Sequence, residues 1–492
     1  MSNTQSTPIE NIIVLMMENR SFDNILGALY PHSDQFEGLI LDGSMSNTYN
    51  NEPYHVTNES SGDTFTTPTP DPGESFQDMN LQIFNNTDGS GPATMGGFIN
   101  DWMAGVTTNY PGLPSGKECL WAPDWPSLPR CPDPKVPCPG PNPSDIMFYY
   151  TTSGSSPQLP VTGWLAQNFA VSDAWFGSSP TQTFPNRFFV NCATSGGYVQ
   201  DLDYLCQLEV WPNFPSIFEL LDGPGGPNPV NWKVYFHDYA ISTMIKYVLE
   251  AYEQVRNFDT SDFGSETKTP TFFDDLNNHT LPKYSFIEPR YGGIDNLPPN
   301  SNHPPNNVLE GEILLATVYN AIAQSDYYWP RTLLMITYDE HGGCFDHVVP
   351  PAAIPPGGTV LRNPSTFGFD RYGPRVPAIL VSPYIQAGTV LRPNGFAYNP
   401  VSNGITTTNS VTPFDHTSII KTVCECFNIQ GNLTQRDLDA PSLLPALTLS
   451  SANMNSPGLV PVPPPPAITV SNPTTHLSEI FHTIIKRLAE IY

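Results

Sequence analysis

Apolar residues along this chain fall into two alternating patterns. Ile12–Met17 (IIVLMM) is a continuous apolar run, the mark of a strand covered on both faces. Further strands are predicted at 232–236, 284–288, Leu333–Tyr338 (LLMITY) and Val376–Val381 (VPAILV). Between them, apolar residues recur three and four apart. Val308–Ala323 places Val308, Leu315, Val318 and Ile322 on one helical stripe. Residues 216–221 and 241–255 are read as further helices, as are a segment beginning near Asn186 and KTVCECFNI. Strand and helix in alternation predict an α/β fold, with a mostly parallel central sheet and helices on both faces.

Two regions depart from the alternation. Residues 35–150 are rich in Gly, Pro, Ser, Thr and Asn and read as a loop-rich insertion over the active face. Near the end, LVPVPPPPAITV predicts a stiff, extended linker, followed by an amphipathic helix over His476–Tyr492. That helix is expected to dock on the main domain, with a membrane or partner anchor as the alternative. The expected division is a main domain at 1–430 and an extension at 431–492.

Charge narrows the partners. With 20 Lys and Arg against 47 Asp and Glu, the formal net charge is -27. Such a surface repels a polyphosphate backbone, so no nucleic acid is expected as a partner. No apolar run reaches the roughly 18 residues of a membrane span. The N-terminus shows no secretory signal, which fits a cytoplasmic protein or a mature secreted form. The eight cysteines read mainly as buried free thiols, with a disulfide among Cys119, Cys131 and Cys138 as the alternative. Sequons at Asn58, Asn85, Asn278 and Asn432 matter only in a secreted chain.

Ligands of a doubly wound sheet gather beyond the carboxyl ends of its strands. Here IIVLMM runs into Glu18-Asn19-Arg20 and LLMITY into Asp339-Glu340-His341. Carboxylates gathered at one edge repel each other unless a cation holds them, so a divalent metal is expected. A third segment, SSPTQTFPNR, sets Ser178, Ser179, Thr181 and Thr183 before a helix. Backbone N–H groups there favour an anion, and a hydroxyl near a metal can become a nucleophile. Spacing does not choose among the four, and hydroxyls at such a position also serve as plain helix caps.

ENRSFDNILG (18–27), TFPNR (183–187), YDEHGGCFDHVVPP (338–351) and YGPRVPAILVSPY (372–384) resemble signature blocks of the bacterial and plant non-specific phospholipase C and acid phosphatase family. Further similar blocks are DPGESFQDMNLQIF (71–84), NHPPNNVLEGE (302–312) and FDHTSIIKTV (414–423). The resemblance runs from about residue 10 to about 425. It implies an alkaline-phosphatase-like three-layer sandwich with long active-site loops, and makes 1–430 the phosphoesterase catalytic domain. It also implies that Glu18, Asn19, Asp339 and Glu340 hold the metal, that Thr183 is the nucleophile, and that His303 contacts the phosphate and leaving oxygen. Asp346 and His347 support the ligand loop. Arg187 and Arg375 match motif arginines and are read as chiefly structural. Arg187, with His237 and Glu74, also stands among the substrate-binding candidates. His416 is read as capping or supporting.

Two positions depart from the family. Glu74 stands where relatives commonly carry a histidine, and Asn307 where an acid is common, which bears on the orientation of His303. The expected activity is metal-dependent, phospholipase C-type hydrolysis of phospholipid phosphodiesters through a phospho-threonine, using one Ca²⁺, Mg²⁺, Mn²⁺ or Zn²⁺ rather than two. Peripheral membrane contact accompanies such a substrate. The alternatives are a broad acid phosphatase acting on small phosphomonoesters, and an inactive relative that binds phosphorylated ligands.

Overall fold

The computed structural model describes residues 7–104, 142–201, 214–223, 230–260, 270–292, 297–357, 367–454 and 457–466. Cys119, Cys131, Cys138 and the segment His476–Tyr492 lie outside these residues.

The apolar runs form the centre of an eight-stranded sheet. In chain order the strands are β1 (Asn11–Met17), β2 (Ser46–Tyr49), β3 (Glu52–His55), β4 (Ala170–Ser172), β5 (Trp232–Phe236), β6 (Val255–Asn257), β7 (Tyr284–Glu288), β8 (Thr332–Tyr338), β9 (Ala378–Val381) and β10 (Thr389–Val390). β2 and β3 pair as a separate hairpin, and the large sheet runs β10-β4-β9-β8-β1-β7-β5-β6. Only β9 runs against its neighbours β4 and β8. Every residue of β1, β7 and β8 is buried, so helices and loops cover both faces. The expected mixed α/β class with a mostly parallel sheet is what is found.

The helix expected over 241–255 is absent. Single-turn pieces at Ile241–Met244 and Tyr252–Gln254 flank a short helix, Lys246–Glu250, and Val255 opens β6 opposite Val234. The Glu288 carboxylate at the end of β7 accepts from Ile241 N (2.7 Å), Ser242 N (2.9 Å) and Ser242 Oγ (2.6 Å). Those two amides would be orphans at any helix start; the break comes where Thr243 N and Ile245 N bond three residues back, to Ala240 O (3.0 Å) and Ser242 O (3.0 Å), and where Val255 joins the sheet.

The region after residue 35 has more structure than loop composition predicts. Helices Phe76–Phe84 and Phe98–Met103 pack with Leu39, Met45, Met95, Ile146 and Met147 in a core of their own. Phe345 joins that core, which fastens the insertion to the segment after β8. Beyond residue 430, Arg436 donates to Ser178 O (2.8 Å) and Leu443 enters the main core.

Candidate active site

β1 and β8 are parallel neighbours with Met17 opposite Tyr338, so Glu18-Asn19 and Asp339-Glu340 leave adjacent strands at the same edge. Backbone amides bind the two turns together. Asp339 Oδ1 accepts from Asn19 N (3.1 Å) and Glu340 N (2.8 Å), and Glu18 N donates to Ser301 O (2.8 Å). Asn19 has φ +55°, a left-handed conformation that asparagine tolerates better than most residues. Gly342, at φ +61°, packs against it so closely that a Cβ there would lie 1.9 Å from Asn19 O.

The helix expected near Asn186 begins earlier, at Thr183, and no side chain caps it. Ser178 Oγ donates to Asp415 Oδ2 (2.9 Å), and Ser179 and Thr181 bond each other (2.6 Å). Thr183 Oγ1, fully buried, donates to Asn19 Oδ1 at 3.4 Å. The N–H of Phe184 in the first turn is taken by Asp201 Oδ1 (2.8 Å), so that donor faces a carboxylate of the chain itself.

Asn19 links the acids. Its Nδ2 donates to Glu340 Oε1 (2.6 Å) and Glu74 Oε1 (2.7 Å), while its Oδ1 faces Thr183. Glu340 Oε2 accepts from Gly342 N (2.8 Å). Among the described residues, neither buried Oε atom of Glu18 has a hydrogen-bond partner. Burial, then the neighbouring Asp339, holds the Glu18 carboxyl well above the usual range. Burial and Asp339 do the same to Glu340; burial followed by Asp71 and Glu340 does so to Glu74. Asp339 is also raised by burial, although Arg187 opposes the shift. Buried, crowded carboxylates with two orphaned oxygens and a nearby amide oxygen and hydroxyl form a hard-oxygen donor set that suits a divalent cation.

Among the described residues, two acid–histidine trios bring ligand atoms within 4.8 Å of one another: Asp23, Asp346 and His347, and Asp71, Glu74 and His303. The Glu18, Asp339 and Glu340 set is not so tightly drawn. The first trio already contains a cation, since Arg375 donates to Asp23 Oδ1 (2.8 Å) and Asp346 Oδ1 (3.0 Å). His347 bonds Asp23 Oδ2 (2.6 Å) and Glu37 Oε1 (3.0 Å) there. This network lies behind the ligand loops, tying residues 23, 37 and 346–347 to Arg375.

The second trio adjoins the site. His303 Nδ1 lies 2.6 Å from Pro304 O, which can only accept, so Nδ1 carries the hydrogen. Its Nε2 is 3.4 Å from Glu74 Oε1, and Asp71 Oδ1 is 3.6 Å from Nδ1. Glu74 is therefore part of the cluster. Asn307 instead caps the helix Val308–Ala323 by accepting from Leu309 N (3.0 Å), and no described bond joins it to His303.

Arg187 lies beneath the ligand turns, donating to Asp339 Oδ2 (3.0 Å) and to the carbonyls of Met16 (3.4 Å) and Met17 (3.2 Å). His416 caps nothing with its side chain. Its Nε2 donates to Asp339 O (2.6 Å) and Nδ1 accepts from Trp175 Nε1 (3.3 Å), while burial holds its pKa down at about 4. His237 is buried against the Phe258 ring, 4.4 Å between centroids, which turns one ring face away from solvent. Sequence reasoning gave no role to Asp71, although it opens a family block, nor to Asp201, which no motif marks.

The phosphoesterase family pattern matches residues 9–430, and the chain belongs to that family. It is a hydrolase acting on phosphoric ester bonds. Among its relatives, non-specific phospholipase C1 of Arabidopsis thaliana is 34% identical over 442 residues, covering 87% of this chain and 69% of the relative. Non-specific phospholipase C4 of the same plant is 31% identical over 485 residues, 98% of this chain and 79% of its own. Phospholipase C B of Mycobacterium tuberculosis is 28% identical over 465 residues, covering 87% and 75% respectively. A solved structure of a protein in the alkaline phosphatase superfamily from Vibrio parahaemolyticus overlaps 58% of this chain and 64% of its own, with a TM-score of 0.33 and 14% identity.

Proposed function

We propose a metal-dependent phosphodiesterase of the phospholipase C type, in which Thr183 becomes phosphorylated and then hydrolysed. The observation that carries this reading is Thr183 Oγ1 set 3.4 Å from Asn19 Oδ1, beside the buried Glu18, Asp339 and Glu340 carboxylates, with Arg187 beneath Glu18 and Asp339. Glu18, Asn19, Asp339 and Glu340 would hold one divalent cation, Ca²⁺, Mg²⁺, Mn²⁺ or Zn²⁺. When bound, that ion lowers the pKa of the threonine hydroxyl and offsets charge on the phosphate oxygens.

Thr183 Oγ1 passes its proton to a carboxylate of the cluster and attacks phosphorus in line; the bond to the leaving oxygen breaks, and a proton carried on His303 Nε2 goes to that oxygen. Water then attacks phosphorus, its released proton going to His303 Nε2, and the bond to Thr183 Oγ1 breaks as that oxygen takes back the proton held by the carboxylate. Arg187 and His416 keep Asp339 from turning during both steps. The relatives named phospholipase C support a phospholipid substrate, cleaved on the glycerol side of the phosphate. The strongly acidic surface favours a zwitterionic headgroup such as phosphocholine over an acidic one. The catalytic domain is taken as 1–430, with 431–492 as an extension, and peripheral membrane contact follows from the substrate.

Paired assays on phosphatidylcholine and p-nitrophenyl phosphate, with metal analysis of the purified protein, test this. Phosphatidylcholine turnover that is lost on chelation, restored by a divalent ion and absent in Thr183→Ala is the expected result. Full activity in Thr183→Ala would exclude the phospho-threonine route, and a monoester rate far above the diester rate would make the chain an acid phosphatase.

A further inference from the structure

We infer that Glu74 sets which phosphate the site accepts, turning it toward singly charged diesters and away from doubly charged monoesters. The inference rests on the reading of Thr183 as the attacking group. Glu74 Oε1 shares the Asn19 amide with Glu340 and stands 3.4 Å from His303 Nε2. A phosphate within reach of Thr183 therefore meets a carboxylate on the side where a cationic or neutral donor would welcome a second negative charge.

The backbone that carries Glu74 is held on both sides. Ser75, the next residue, caps the helix Phe76–Phe84 in a reciprocal box with Asp78. On the other side, Gly73 O accepts from Gln82 Nε2 (2.8 Å), which also holds Asp101 Oδ2 (2.8 Å). Both neighbours of Glu74 are thus anchored to one helix.

The size of the effect follows from Coulomb's law. At a separation of about 5 Å and an effective dielectric of about 20, one further phosphate charge is disfavoured on the order of 100-fold. Pairing with Glu74 also commits any positive charge on His303, so that charge does not serve the second phosphate oxygen. Both effects act in the same direction. A diester, which never carries the second charge, escapes them.

The experiment compares kcat/KM for glycerol phosphate and for phosphatidylcholine in the full chain, in Glu74→Gln and in Glu74→Asp. At pH 8, Glu74→Gln is expected to raise the monoester-to-diester ratio about 10- to 100-fold, while Glu74→Asp keeps it near wild type. A monoester loses its second charge below about pH 6. The comparison is therefore made at pH 8, where the monoester carries both charges. Calorimetry with inorganic phosphate gives a readout free of turnover, with about tenfold tighter binding expected in Glu74→Gln. An unchanged ratio, an equal fall in both rates, or unchanged phosphate affinity overturns the role of Glu74. Wild-type protein inactive on both esters refutes the proposed function instead, and phosphate binding still decides the role of Glu74.

Discussion

Replacing Arg375 with methionine tests how the site is held. The guanidinium is fully buried. Nε donates to Asp346 Oδ1 (3.0 Å), Nη2 to Asp23 Oδ1 (2.8 Å), and Nη1 to the carbonyls of Glu37 (2.7 Å) and Asp173 (3.2 Å). Methionine fills much of the volume over the Phe22 ring but leaves two carboxylates and Glu37 facing the single positive charge of His347. Breaking a buried pair from one side costs about 3–5 kcal/mol. At about 2.1 cal/mol/K per residue, 492 residues make that a fall of roughly 3–5 °C in Tm.

The loss should also depend on pH. Burial lifts Asp346 to about 6 even with Arg375 opposing the shift. A carboxyl raised in the fold contributes most below its unfolded value and loses that contribution as pH rises through the folded one. Without Arg375 the folded pKa climbs further, so the deficit should be small near pH 4 and widen toward pH 8. Urea midpoints and calorimetry across that range measure it, and Arg375→Met with Asp346→Asn should recover part of the loss at pH 8. A deficit below about 1 kcal/mol at pH 8, or one that is flat with pH, would refute the claim that this network is an ionic clamp.

Two further outcomes follow from the same geometry. Gly342→Ala should leave the fold recognisable by circular dichroism but lower activity on the order of 100-fold, because its Cβ would drive Asn19 O out of place; activity within twofold of wild type would show that the turn yields freely. Burial alone would lower the pKa of His347, but Asp23 and Glu37 outweigh it and raise it to about 9. Its stabilisation is full below about pH 6.5 and is lost as pH rises through 9, so urea midpoints should drop between pH 7 and 10, and His347→Gln should lessen that slope.

Local pattern was enough to find the strands that carry the site. IIVLMM and LLMITY are apolar throughout because both of their faces are buried, and the acids that follow mark their open ends. The residue blocks of the family single out Glu18, Asn19, Thr183, Asp339 and Glu340 as candidates; in the fold Thr183, Asp339 and Glu340 each hydrogen-bond Asn19. Residues 241–255 misled for a physical reason: their spacing suits a helix, but Val255 pairs with Val234, distant in sequence, and the turns before it close three residues back at Ile245 and Gln254.

The chain by itself determined the class of fold, because hydrophobic periodicity reports which faces are covered. It could not decide which hydroxyl among Ser178, Ser179, Thr181 and Thr183 faces the acids, since that depends on a helix start set by packing. Nor could it place Glu74, a substrate-binding candidate by resemblance alone, until the fold set its Oε1 2.7 Å from Asn19 Nδ2 and 3.4 Å from His303 Nε2. Those choices belong to tertiary structure because a charge acts through distance in space, and the chain connecting Glu74 to His303 says nothing of the 3.4 Å between their atoms.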